Sequence, residues 1–195
     1  MSAAYALDQP DLFGAPEPTA PVVAGFDYWL DVLSPGDQAA LVADLQALAF
    51  RPYEHRGYVA HRQVAAFDRP AATDPAGTAD NGWPPFLERL ISRLGDRLGL
   101  EAERFVQVLI NAYAPGAGIG WHRDRPIYGE VLGVSLLAPC VMRLRRRQGE
   151  GFERRNAPLA PGSVYRLSGE ARSAWEHSIV PLTAMRYSVT FRTLV

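Results

Sequence analysis

A chain of 195 residues, 48% of them apolar and 10% aromatic, is long enough to bury one sizeable core and too short to promise two, and its net charge of −1 requires any nucleic-acid partner to be met by a local patch. No apolar run reaches membrane-spanning length, and the opening MSAAYALDQPDLFGAPEPTAP lacks the basic start and apolar core of a secretory signal, so a cytoplasmic protein is expected, with no membrane partner. A lone cysteine, Cys140, excludes an internal disulfide and fits a reducing compartment.

Residues 1–21 carry four prolines and few apolar side chains and read as a flexible tail, followed by a single domain over 22–195. Within the tail, Gln9–Phe13 (QPDLF) resembles the pentapeptide by which bacterial DNA repair and replication proteins hook onto the sliding clamp; an inert or self-docking tail is the other reading. The next stretch, LSPGDQAALVADLQALAF, predicts a helix: Ser34 is the N-cap, Pro35 stands in the first turn, Asp37 follows three residues after the cap, and Leu41, Leu45 and Leu48 share a face. PPFLERLISRLGDRLGL predicts a second helix through Phe86, Leu90, Leu94 and Leu98, ending near Gly99. Between them, hairpin-like pieces in EHRGYVAHRQVAAF and a loop rich in Pro, Gly and Asp suggest a cover over about 50–85 rather than core.

From residue 105 the texture changes to short β-branched or alternating runs: FVQVLINAY, VLGVSLL, VMRLR, SVYRLS, HSIVPL and RYSVTFRTLV. Closely spaced strands without intervening helices predict a mainly β protein with flanking helices, a sandwich or barrel of the jelly-roll type with the two helices on one outer face. One segment, RLRRRQGEGFERR, sets six arginines against two glutamates and is the candidate basic patch; all twenty basic residues are arginine, a bias that genome composition explains better than selection for phosphate does.

Alternation places Arg186, Ser188, Thr190 and Arg192 on one face of the last strand and Tyr187, Val189 and Phe191 on the other. If the arginine face points inward it needs anionic partners, because a buried unpaired guanidinium is costly; the same spacing also suits a solvated edge strand. Leu109, Asn111 and Tyr113 share a face in the same way. The glycine-rich APGAGIG then allows close backbone approach before His122 and Asp124, which lie on one side of an extended chain and so can grip one ion. Of the four histidines, His55 and His61 fall in the cover, leaving His177 as third ligand. Two histidines and a carboxylate form the facial triad of non-heme Fe(II) oxygenases; a pair of structural histidines is the alternative.

NAYAPGAGIGWHRD, VSLLAPCVMRLR, GSVYRLSGEARSAWEHSI and RYSVTFR together resemble the successive signatures of the AlkB family of Fe(II)- and 2-oxoglutarate-dependent dioxygenases, closely over 105–195 and in outline before that. The resemblance implies a double-stranded β-helix with Fe(II) on His122, Asp124 and His177 and with 2-oxoglutarate and O2 as cosubstrates. It further implies that Arg186 pairs with the distal carboxylate of 2-oxoglutarate, that Arg192 lies near its keto-acid end, and that Asn111, Tyr113, Leu109 and Ser188 complete the pocket. The family's best-known reaction is oxidative demethylation of N-alkylated nucleobases in DNA or RNA, so single-stranded nucleic acid is the expected partner of a monomeric enzyme. Candidates for holding it are Tyr53, Tyr58, Arg62 and Phe67 in the cover, Trp121 beside the triad, and Arg143 and Arg145. The cover is poorer in stacking groups than in many relatives. That keeps open the same chemistry on a protein, lipid or small molecule, and further off a jelly roll that binds metal or anion without turnover.

Overall fold

The computed structural model describes residues 21–55, 58–69 and 82–195, with backbone alone at 55, 58 and 59. Gln9–Phe13 and most of the Pro/Gly/Asp-rich loop therefore lie outside the described residues, as does the side chain of Tyr58. In chain order the elements are β1 (Phe26–Trp29), α1 (Pro35–Gln46), β2 (Arg51–His55), β3 (Tyr58–Asp68), α2 (Pro85–Leu98), β4 (Phe105–Tyr113) and β5 (Ile119–His122). There follow β6 (Tyr128–Leu137), β7 (Cys140–Gln148), β8 (Gly151–Leu159), β9 (Val164–Leu167), α3 (Gly169–Ser173), β10 (Glu176–Ile179) and β11 (Arg186–Leu194).

The strands form a large sheet, ordered β1-β9-β6-β11-β4-β3-β2, and a small one, β5-β10-β7-β8. Val131, Tyr113 and Tyr165 from the large sheet meet Met142, Leu144 and Leu159 from the small one in a shared core. The mainly β fold with antiparallel sheets is the expected jelly roll, and both predicted helices pack on its outer face.

Ser34 caps α1 by accepting the Asp37 N–H at 3.1 Å while its hydroxyl donates to the Asp37 carboxylate at 2.7 Å. The stripe Leu87, Leu90, Ile91, Leu94 and Leu98 of α2 is buried against Val108 and Ile110 of β4 and Val189 and Phe191 of β11, each such side chain contributing roughly 1.5–3 kcal/mol when fully buried. Gly99 ends the helix at φ +65°, a conformation that glycine adopts without steric cost. No helix among the described residues is long and apolar enough to cross a membrane.

The region expected to be a cover differs in its second half. From Gln63 to Asp68, β3 pairs with β4 in the large sheet, and Val64 and Ala65 are buried. The edge of β4 presents unpaired N–H and C=O groups that only another strand can satisfy along their length, and RQVAAF supplies it. The short strands β1 and β5 escape periodic analysis because four residues hold too little pattern, and β8 because, as the sheet's outer edge, it has mostly exposed polar side chains.

Candidate metal centre and active site

The pairing of β5 with β10 sets His177 opposite His122, with ring centroids 4.2 Å apart, and Asp124 follows just past the end of β5. The ligand atoms of the three side chains lie within 4.8 Å of one another. The Nδ1 of His122 is 2.9 Å from the Gly120 carbonyl, which can only accept, so Nδ1 carries the proton and Nε2 offers its lone pair 3.8 Å from Asp124 Oδ1. Burial pushes the His177 imidazole down to about 3, helped by His122 and opposed by Asp124. Burial likewise lowers His122, with the Gly120 bond and Asp124 opposing. Burial works to raise the Asp124 carboxyl, but Arg192 and then His177 and His122 outweigh it and hold the group below the usual carboxylate range. Near neutral pH the triad is therefore two neutral imidazoles and one carboxylate, the protonation state that a divalent cation requires.

A cavity of about 280 Å³ opens beside these three residues, and β4 and β11 supply its wall. Leu109, Asn111 and Tyr113 of β4 and Ser188, Thr190 and Arg192 of β11 all line it, so the predicted inward face of the last strand is the one observed. Arg192 joins Asp124 Oδ2 through Nε at 2.7 Å and Gln107 Oε1 through Nη1 at 2.8 Å. Gln107 was not singled out from the sequence; the period of two that marks Leu109, Asn111 and Tyr113 marks it too. Arg186 is fully buried against the Tyr113 ring and donates from Nη2 to Ser135 Oγ at 3.0 Å, while its Nε and Nη1 have no partner among the described residues.

Two further arginines shape the site. Arg62, on β3, lines the cavity with its Nε on Asn111 Oδ1 at 3.1 Å and its guanidinium 3.8 Å from the Tyr53 ring centroid. Arg172, on α3, directs Nη2 at the carbonyls of Asp124, Arg125 and Tyr128, at 3.2, 2.5 and 2.9 Å, and so fixes the backbone that carries Asp124; nothing in its spacing announced this. Of the other candidates, Trp121, Arg143 and Arg145 stand together on the opposite, outer face of the small sheet, with Arg143 and Arg145 5.0 and 4.4 Å from the Trp121 ring. Phe67 does not reach the cavity. Alternation along β3 turns it, with Ala65, toward the helices, where it packs on their core.

The residues present suit the groups that the sequence implies. Two histidines and a carboxylate with an open side are the donor set of non-heme Fe(II) sites, and a buried guanidinium with two unsatisfied nitrogens calls for an anion such as the distal carboxylate of 2-oxoglutarate.

The family model of the 2OG-Fe(II) oxygenase superfamily matches residues 31–192. The chain is similar to an uncharacterised protein of Acanthamoeba polyphaga mimivirus, 27% identical over 128 residues that take in 59% of this chain and 60% of that one. It is also similar to the alpha-ketoglutarate-dependent dioxygenase AlkB of Escherichia coli, 29% identical over 157 residues, 71% of this chain and 67% of that one. The fold is that of the solved structure of OsALKBH1, with a TM-score of 0.64 at 17% identity over 90% of this chain and all of that one. The chain belongs to the 2OG-Fe(II) oxygenase superfamily and is an AlkB-like dioxygenase that works with Fe(II), 2-oxoglutarate and O2.

Proposed function

We propose that the enzyme removes N-alkyl groups from nucleobases in single-stranded DNA or RNA, with His122, Asp124 and His177 as iron ligands and Arg186, Arg192, Asn111, Tyr113, Leu109 and Ser188 around 2-oxoglutarate. When bound, iron and 2-oxoglutarate would supply the oxidation: O2, 2-oxoglutarate and the N-methyl group give succinate, carbon dioxide and an N-hydroxymethyl group, which leaves the base as formaldehyde. Arg186 orients the cosubstrate through its distal carboxylate, and Arg192 holds Asp124 ionised.

One observation carries the nucleic-acid reading. On the outer face of the small sheet Arg145 lies 4.4 Å from both the Trp121 and Phe152 ring centroids, and Arg147 and Arg154 flank Phe152 at 5.4 and 5.6 Å. Register places all of them on one face, Arg145 opposite Arg154 and Arg147 opposite Phe152. Arg145 is answered by Glu176 at 2.7 Å, whereas Arg143, Arg147 and Arg154 have no acidic partner among the described residues. Arginines spread over aromatic rings lose less freedom when they meet phosphate, which favours a polyanion. A groove lined by Arg143, Gly118, Gly120 and Arg62 adjoins this face, and Arg62 also lines the cavity. The buried, unpaired Cys140 accords with cytoplasmic work, and Gln9–Phe13 is proposed as a sliding-clamp tether of a monomer.

The test is anaerobic loading with Fe(II) and 2-oxoglutarate, then exposure to oxygen with single-stranded oligonucleotides carrying N-methylated bases, reading succinate and oligonucleotide mass together. Loss of one methyl mass, abolished by Asp124→Ala, is expected. Succinate with every methyl intact moves the same chemistry to a protein, lipid or small molecule. Replacing Arg143, Arg147 and Arg154 with Gln should weaken oligonucleotide binding and lower its salt slope by about 2, at about 0.7 per phosphate contact on single strands.

A further inference from the structure

The cavity beside the triad holds more positive charge than iron and cosubstrate can use. Asp124 is the one acidic side chain lining it, and Arg192 already pairs with that carboxylate. A divalent iron and a dianionic cosubstrate add no net charge between them. Arg186, fully buried behind the wall, answers the distal carboxylate of the cosubstrate, and of the other arginines that line the cavity Arg123 and Arg125 are exposed, which leaves Arg62 as the buried guanidinium with no anion to answer. Arg62 lines both the groove beside the outer face and the cavity itself. It cannot swing aside cheaply. Only 7% exposed, it is clamped between the Asn111 carbonyl oxygen and the Tyr53 ring. Its bonded nitrogen is Nε, and among the described residues neither terminal nitrogen has an acceptor, so two NH2 groups on a fixed plane remain for the substrate.

Resting on the demethylase reading above, we infer that Arg62 makes this enzyme select neutral lactam bases, 1-methylguanine and 3-methylthymine, over the cationic lesions 1-methyladenine and 3-methylcytosine. Of the two positions beside the methylated nitrogen, the C2 carbonyl is common to both pyrimidines, and the two classes differ at the other, C6 of the purine or C4 of the pyrimidine. In the lactams a carbonyl oxygen stands there and accepts from a guanidinium. In 1-methyladenine and 3-methylcytosine that position is an amino or iminium nitrogen, and at neutral pH the ring is positively charged. A cationic base brought beside Arg62 meets like charge at low dielectric, and the one carboxylate in the lining, Asp124, is already paired with Arg192.

Ratios between lesions in one protein decide this, because Arg62 also touches Asn111 and any change there alters cosubstrate handling equally for all four bases. The full-length iron-loaded enzyme is given four single-stranded oligonucleotides, identical except for the lesion, and kcat/KM is measured for each; Kd is read by fluorescence anisotropy with metal-free protein. The lactams are expected to lead by at least about tenfold at pH 7. Arg62→Gln should bring the ratio close to one in both readouts, and Arg62→Lys, which keeps the charge, should preserve the rejection of cationic bases. Raising the pH until 1-methyladenine and 3-methylcytosine lose their charge should narrow the wild-type gap. Turnover of the cationic lesions equal to or above that of the lactams, or a ratio unmoved by Arg62→Gln, overturns the inference and leaves the demethylase reading standing. Succinate formation with all four methyl groups retained overturns both.

Discussion

The Nε of Arg192 lies 2.7 Å from Oδ2 of Asp124, while the other carboxylate oxygen, Oδ1, is turned toward His122 Nε2 at 3.8 Å. One carboxylate thus serves a cation on each side: a fixed guanidinium on one oxygen and the metal position on the other. Arg192→Gln should lower Fe(II) or Co(II) affinity about 10–100-fold, as loss of a partner to a ligand typically does. Anaerobic titration calorimetry checks it. Unchanged metal affinity with a raised KM for 2-oxoglutarate would assign Arg192 to the cosubstrate alone.

Arg186 offers a test with effects of opposite sign. Its guanidinium is fully buried with two nitrogens unsatisfied, which costs stability until an anion arrives. Arg186→Met should raise the KM for 2-oxoglutarate about 30–100-fold, equivalent to about 2–3 kcal/mol for charge-assisted hydrogen bonds, while leaving the cosubstrate-free protein as stable or about 1 kcal/mol more stable. Steady-state kinetics and urea melts read the two separately. A variant that unfolds more easily and keeps its KM would give Arg186 a purely structural role.

The histidines make the metal-free protein acid-sensitive. His177 titrates at about 3 when folded against an ordinary 6.5, so between those values the unfolded chain binds the additional proton and unfolding gains as pH falls. His122 is shifted the same way. Stability measured in chelator should be full above pH 6.5 and fall below it, by up to about 1.4 kcal/mol per pH unit for each proton taken up. His177→Gln should flatten the slope. An unchanged slope in that variant would exclude His177 as its source.

Gly133 sits in β6 where an added Cβ would overlap the Tyr165 ring, which itself lines the cavity. Gly133→Ala should cost about 1–3 kcal/mol of stability through overpacking and, by pushing Tyr165 inward, raise the KM for 2-oxoglutarate. Thermal melts with kinetics would show whether both occur; stability lost with KM intact would mean that the ring yields in another direction.

The two strand faces that build the site were legible in the sequence, because alternation follows from backbone geometry alone: Arg186, Ser188, Thr190 and Arg192 face inward and Tyr187, Val189 and Phe191 face the helices, as read. The triad was legible through its residue types and spacing, and both helices through the cap at Ser34 and the stop at Gly99. Tertiary structure alone decided which way neighbouring candidates turned. Trp121 adjoins His122 yet points out of the sheet, Phe67 points to the helices, and Arg62, five residues before it, enters the cavity. It decided also that Gln107 and Asp124 share Arg192 and that Arg172 grips the Asp124 loop across 48 residues of chain. These contacts join elements distant in sequence. No local period encodes them, and they exist only once two sheets close on one cavity.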